Sequence, residues 1–167
     1  TLSYEKGIPI KSKDASFDKL EADIRHSIRL NTFNRLNYTV NAGIYPSSKT
    51  VYLPDYKHFG INELFITGSP LNNRFSLLDN YTYVTNDKWL QGDIELSSNY
   101  LLLKNIRFMQ SYLFDESLHL RSLWIPGRNY TEAGYSIGFG NIGRVGVFVG
   151  FNNGKYDTTG FTISLPI

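Results

Sequence analysis

The stretch DKLEADIRHSIRL, Asp18 to Leu30, puts Leu20, Ala22, Ile24, His26, Ile28 and Leu30 at every second position. Glu21, Asp23, Arg25, Ser27 and Arg29 stand between them. Successive side chains of a strand point to opposite faces, whereas a helix would scatter this pattern around its circumference, so the spacing predicts a β-strand. After a polar turn at residues 31–34, Leu36, Tyr38, Val40, Ala42 and Ile44 alternate with Asn37, Thr39, Asn41 and Gly43. The two segments read as one long hairpin with an apolar face and a charged or amide-rich face. Globular strands average about 5–6 residues. Residues 18–30 would instead reach about 43 Å at ~3.3 Å per residue, and a ~45° tilt reduces that to roughly 30 Å, the hydrocarbon thickness of a bilayer.

The same alternation closes the chain. Ala133, Tyr135, Ile137 and Phe139 are interleaved with Gly134, Ser136, Gly138 and Gly140, and Val145, Val147, Val149 and Phe151 with Gly146, Phe148 and Gly150. Asn153-Gly154 is the dipeptide favoured in a type I′ hairpin, and Phe161, Ile163, Leu165 and Ile167 share one side of the return strand. Further strands are expected at 75–84, 88–99 and 114–125, with a weak first one at 1–5. The fold expected is all-β: an antiparallel up-and-down meander of about nine strands, part of a transmembrane β-barrel. Residues 1–167 read as a single domain. A short amphipathic helix is expected near 101–112 from Leu102, Leu103, Ile106 and Met109. Residues 46–73, with Pro46, Pro54, Gly60, Gly68 and Pro70, read as a long irregular loop.

Composition narrows the classes. The chain has 167 residues, 17 Lys and Arg against 15 Asp and Glu, and no cysteine. A net charge of +2 is too mild for a nucleic-acid binder, so no nucleic-acid partner is expected. Without cysteine there is no disulfide framework, thiolate zinc site or cysteine nucleophile. Aromatic residues reach 15% and charged residues only 19%, which favours strands. No apolar run approaches the ~18 residues of a membrane helix. Because the first residue is Thr1, with no start methionine, a processed chain or a fragment is expected.

In a soluble sandwich the apolar side would be the core; in a transmembrane barrel it meets lipid, and the polar side lines the lumen. Strand length, tight turns and the tyrosine content favour the barrel. The lumen network is expected from Glu21, Asp23, Arg25, Arg29, Asp93, Glu95, His119 and Arg121, whose interleaved signs suit a salt-bridge lattice better than paired catalytic acids. Tyr4, Tyr38, Tyr45, Tyr81, Tyr83, Trp89, Tyr112, Trp124, Tyr130 and Tyr156 fall near expected strand ends, as an interfacial aromatic girdle would. Long loops in compact folds are usually functional, and Tyr52, Tyr56, Phe59 and Phe65 mark residues 46–73 as a candidate lumen plug.

Sites of other kinds are not expected. Gly138-Phe-Gly140-Asn-Ile-Gly143 matches the dinucleotide fingerprint, yet a strand follows where a helix N-terminus is needed. Three Asn-Tyr-Thr sequons, at Asn37, Asn80 and Asn129, are discounted as chance in an Asn- and Thr-rich chain. His26, His58 and His119 are scattered and lack metal-ligand spacing. Neither a nucleophile elbow, a P-loop nor a zinc-protease motif occurs. The chain is therefore expected to have no catalytic residues, cofactor or metal.

Three segments carry a family resemblance: FSLLDNYTYVTNDKWLQGDIE from Phe75, NYLLLKNIRFMQSYL from Asn99 and YSIGFGNIGRVGVFVGF from Tyr135. Together they resemble the C-terminal part of an uncharacterised outer-membrane β-barrel family of Bacteroidota. Its longer members carry an N-terminal carboxypeptidase-regulatory-like domain and a barrel of the surface-antigen type. The similarity runs over residues 14–167 and is strongest after Phe75. Departures are Leu96 to Tyr100, where members place two histidines and Phe-Asn-Gly, Gly146 in place of an acidic residue, and Pro166-Ile167 in place of a terminal aromatic. The resemblance implies a non-enzymatic channel, transport or assembly barrel in a Gram-negative outer membrane. Open sheet edges in lipid cost several kcal/mol per unpaired group. The partners expected are thus the bilayer and the remaining barrel strands, from a considerably longer chain or another chain. The competing expectation is a soluble antiparallel barrel that holds a lipid or other apolar ligand inside.

Overall fold

A computed structural model describes residues 1–9, 15–62, 65–68, 71, 73–79, 82–107 and 114–165. Nine strands form one sheet: β1 (Leu2–Gly7), β2 (Ser16–Arg29), β3 (Asn34–Thr50), β4 (Ile66–Thr67), β5 (Lys88–Ser98), β6 (Asp115–Ile125), β7 (Arg128–Gly138), β8 (Arg144–Asn152) and β9 (Lys155–Ser164). The spatial order is β1-β2-β3-β5-β6-β7-β8-β9-β4, and the sheet is not closed on itself. Its eight longer strands are antiparallel to their neighbours. β4 adds two residues parallel to β9, so the sheet is mixed rather than a pure meander. No described helix is long and apolar enough to cross a membrane.

The register aligns the alternation across the sheet. Ile28, Leu36, Leu96, Leu118, Tyr135, Val147 and Phe161 form one cross-strand row. On the other face runs a row of Arg25, Thr39, Asp93, Arg121, Glu132, Gly150 and Thr158. Burial inverts the order of a water-soluble protein. Ile24, Ile94, Leu120 and Val147 are exposed, whereas Asp93, Glu95, His119, Arg121 and Glu132 are buried. Among the described residues 28 large apolar side chains are exposed and only 12 apolar ones are buried. The buried set is an aromatic cluster on the charged face, where Phe17, Tyr45 and Trp89 meet Phe59, Phe75, Tyr83 and Tyr130.

Several expectations need correction. Residues 75–79 and 82–84 are not in a strand. Phe75 makes only an isolated parallel bridge to Ile61, and Thr85 an antiparallel one to Lys57. The Leu77-Leu78 doublet breaks the period of two, and Thr82 Oγ1 donates to Asp79 Oδ2 at 2.6 Å, a local bond that competes with a ladder. The loop expected from residue 46 begins later, because β3 continues to Thr50. Pro46 is tolerated there because it sits at the register shift opposite Asp18 and Leu20, where its missing N–H costs no ladder bond. Of the stretch 101–112, the described residues 101–107 hold a single 3₁₀ turn, Leu103–Asn105, rather than a helix; the rest, with Met109 and Tyr112, lies outside the described residues.

The aromatic girdle is also corrected in part. Tyr45, Tyr83, Trp89 and Tyr130 are buried on the charged face, while Tyr4, Trp124 and Tyr156 are exposed. A strand-end position fixes height along the sheet but not the face. Tyr81 falls outside the described residues, as do Asn80 and the terminal Pro166-Ile167.

Candidate functional site

The charged face is covered by the segment between β3 and β5. It leaves β3 through a 3₁₀ turn, Leu53–Asp55. It then crosses to the far edge, where Phe65 O accepts from Ile163 N and Thr67 O from Leu165 N, and returns through Leu71, Phe75 and Leu78, all buried. Apolar side chains hold its base. Tyr45 Oη donates to the Asp55 carbonyl at 2.7 Å, and the Lys57 ammonium lies 5.3 Å from the Trp89 ring centroid while pairing with Glu21. Trp89 is fixed in turn by its Nε1–H, which donates to Asn41 Oδ1 at 2.7 Å. Burial pushes the Tyr83 hydroxyl above its ordinary pKa, and the nearby Asp157 carboxylate adds to the effect.

At the centre stands Arg121, 1% exposed. Its neighbours in register are Asp93 on β5 and Glu132 on β7. Nε donates to Asp93 Oδ2 at 3.0 Å and Nη1 to Glu132 Oε1 at 2.6 Å. The remaining donors reach the covering segment, through Nη1 to Ser76 Oγ at 3.2 Å and through Nη2 to the Leu71 carbonyl. Glu132 completes the clasp by accepting from Ser76 N and Leu77 N at 3.0 and 2.9 Å. Asp93 accepts from the Asn73 backbone N–H. One arginine and two carboxylates thus hold the covering segment by its main chain, and no carboxylate is left without donors.

Beneath the guanidinium lies the Phe148 ring, 4.8 Å from the Arg121 Cζ. That ring in turn rests on Gly134, its cross-strand partner, where a Cβ would come within 2.1 Å of the ring. Glycine at 134 is what lets the phenylalanine lie flat and the arginine stack on it. His119 packs against the same ring at 5.6 Å, and its Nε2 meets Ser136 Oγ at 2.8 Å. Among the described residues no group of three or more His, Cys, Asp and Glu is placed to hold a metal ion.

With this geometry in hand, residues 1–137 match the family model described as the C-terminal domain of DUF5686, a family of unknown function. The chain belongs to that family. No curated protein and no solved structure matches it. The matched stretch of the DUF5686 C-terminal domain takes in β1 to all but the last residue of β7, the covering segment and all three members of the Asp93, Arg121, Glu132 clasp, while β8 and β9 lie beyond it.

The residues expected to line one lumen fall into three groups. Asp93, His119 and Arg121 form the buried centre, with Glu95 directly opposite His119, buried and accepting from Asn37 Nδ2 at 3.1 Å. Glu21 belongs to the base of the covering segment through Lys57 and Asn41. Asp23 and Arg25 pair with each other at 2.7 Å, with Arg25 exposed. Arg29 joins none of these and stands beside Arg35 at the far end. Of the aromatic residues singled out in the loop, Phe59 is in the core, Tyr56 is half-buried, and Tyr52 and Phe65 are exposed, the latter against Phe161.

Glu132 falls on the polar face by its alternation with Ala133 but was not among the residues expected to form the network. Glu116 was missed altogether. Glu116 is fully buried in phase with the apolar row, where it accepts from the N–H groups of Leu101, Leu102 and Leu103 and from the Tyr135 hydroxyl. A lone acid out of phase in a strand was the available signal.

Proposed function

We propose that this chain is part of a non-enzymatic outer-membrane β-barrel of channel, transport or assembly type, from a Gram-negative bacterium of the Bacteroidota. The apolar face meets acyl chains, the charged face lines the bore, and the segment between β3 and β5 fills that bore as a plug. The observation that carries the reading is the inverted burial. An apolar face is exposed on β2, β3, β5, β6, β8 and β9 and half-buried on β7 between them, while arginine and carboxylates are buried behind it. Monomeric soluble proteins rarely expose apolar patches larger than roughly 300–600 Å². Lipid is the solvent in which such a face is stable, and strands of 9 to 17 residues in β2, β3 and β5 to β9 have the ~9–11 residues a tilted transmembrane strand needs. An apolar-ligand barrel would need the opposite face inward.

The two tryptophans test this directly, since Trp89 lies on the charged face and is 2% exposed, whereas Trp124 lies on the apolar face and is 43% exposed. In vesicles of phospholipids with brominated acyl chains, the full-length protein should lose fluorescence chiefly from Trp124. Trp124→Phe should abolish most of this chain's quenching, and Trp89→Phe should leave it. Equal quenching at both positions, or a protein that is soluble and monomeric without detergent, would refute the membrane reading.

A further inference from the structure

At the end of the sheet that carries the 31–33 turn, Arg29 of β2 and Arg35 of β3 are direct cross-strand partners. Period-two alternation from Arg25 and Asn37 sets both on the charged face. Like charges opposite each other on neighbouring strands repel, and a carboxylate between them is the usual relief. Among the described residues none fills that place. Glu95 accepts from Asn37, Asp115 is paired with Arg144, and Asp23 with Arg25.

Both arginines instead line a cavity of about 340 Å³ together with Asn37, Ser97, Asn99 and Asp115, whose carboxylate is held by Arg144. Two acceptors at this mouth are already engaged. Asn31 Oδ1 takes the Phe33 and Asn34 N–H groups at 2.9 and 2.8 Å, which also fixes the turn, and Asn37 Oδ1 takes the Ser27 hydroxyl at 2.7 Å. Neither competes for the guanidinium donors. The result is a polar pocket with two positive charges on neighbouring strands that no carboxylate pairs among the described residues.

We propose that this cavity binds an oxyanion of the phosphate class between Arg29 and Arg35. Each guanidinium presents a planar fork of donors that matches phosphate oxygens in pairs. A dianion neutralises both charges and converts a repulsive cross-strand pair into two attractive ones. The phosphate is either a free solute group or the headgroup of a lipid. The inference does not depend on the bilayer reading, since it rests on the hairpin and its cavity alone.

The test uses the full-length protein in an uncharged detergent. Inorganic phosphate should raise its Tm saturably, and beyond what chloride does at matched ionic strength. R29Q should bind phosphate roughly ten- to a hundredfold more weakly, the loss expected for one charge-assisted contact. R29Q/R35Q should lose the response, while Lys155→Gln, an exposed cation at the opposite end, should keep it. Without phosphate and at low salt R29Q/R35Q should melt above the wild type, because the repulsion is gone, and this also establishes that it folds. Micelles doped with phosphatidylglycerol separate the sources: a rise with the lipid but not with inorganic phosphate assigns the headgroup. A response that chloride reproduces, that survives in R29Q/R35Q, or that is absent with both probes would overturn the proposal.

Discussion

Arg121 and Arg25 show how much one residue type depends on its surroundings. They share a cross-strand row and each pairs with an aspartate, but Arg121 is 1% exposed and the Arg25 side chain 67%. Taking two carboxylates and a guanidinium out of water is costly, and only their mutual attraction and hydrogen bonds offset it. Removing the cation alone leaves Asp93 and Glu132 buried and uncompensated, a change that typically costs about 3–5 kcal/mol. An exposed pair contributes at most about 1 kcal/mol, because water screens it and long side chains lose entropy on forming it. Arg121→Ala should therefore lower the unfolding midpoint of the full-length protein in detergent sharply, and Arg25→Ala should leave it nearly unchanged. Equal effects would mean that the buried clasp is not the stronger constraint. Lysine would not rescue position 121, since a single ammonium cannot reach Asp93, Glu132, Ser76 and the Leu71 carbonyl together.

The element that gives the charged face its character is the segment between β3 and β5, and its geometry supplies a clean excision. Lys57 and Thr85 are antiparallel bridge partners, with Lys57 N donating to Thr85 O at 2.8 Å and Thr85 N to Lys57 O at 3.3 Å. Residues 58–84 can thus be replaced by an Asn-Gly turn without separating β3 from β5. That variant should conduct more than the wild type in planar bilayers; unchanged conductance would count against a plug. Glu132→Gln, which keeps an acceptor for Ser76 and Leu77 but loses the charge, should fall between the two. The long hairpin, the C-terminal meander and the face of most charged side chains, Glu116 excepted, were legible because period-two alternation is a local signal. The course of residues 51–87 was not, because it is set by long-range bonds. Glu132 reaches 55 and 56 residues back to Leu77 and Ser76, and Arg121 50 residues back to Leu71. No local pattern encodes such pairs. Trp89 and Tyr130 were misassigned to a girdle for the same reason: their partners, Lys57 and Phe75, lie in that segment.

For the molecule as a whole the open question of energy lies at the two edges. β4 covers β9 only at Ile163 and Ser164, and β1 has β2 on one side alone. The pattern of bonds already made identifies the donors that face outward. Ile163 N and Leu165 N point to β4, so by strand alternation the amides of Thr159 and Phe161 point the same way, past its end. On β1, Thr1 N and O both bond to Asp23 across β2, which directs the amides of Leu2, Tyr4 and Lys6 to the free side. In lipid each such group would be unsatisfied at several kcal/mol, and a sheet with two such edges is stable there only when further strands pair with both. Hydrogen exchange reads this amide by amide. In full-length protein inserted in a bilayer, Thr159, Phe161, Leu2, Tyr4 and Lys6 should exchange as slowly as the amides of β6 and β7. In residues 1–167 alone in detergent they should exchange fast while β6 and β7 stay protected. Fast exchange at these five amides in the inserted protein would show that the sheet stays open, and an open sheet with this apolar face is not a barrel.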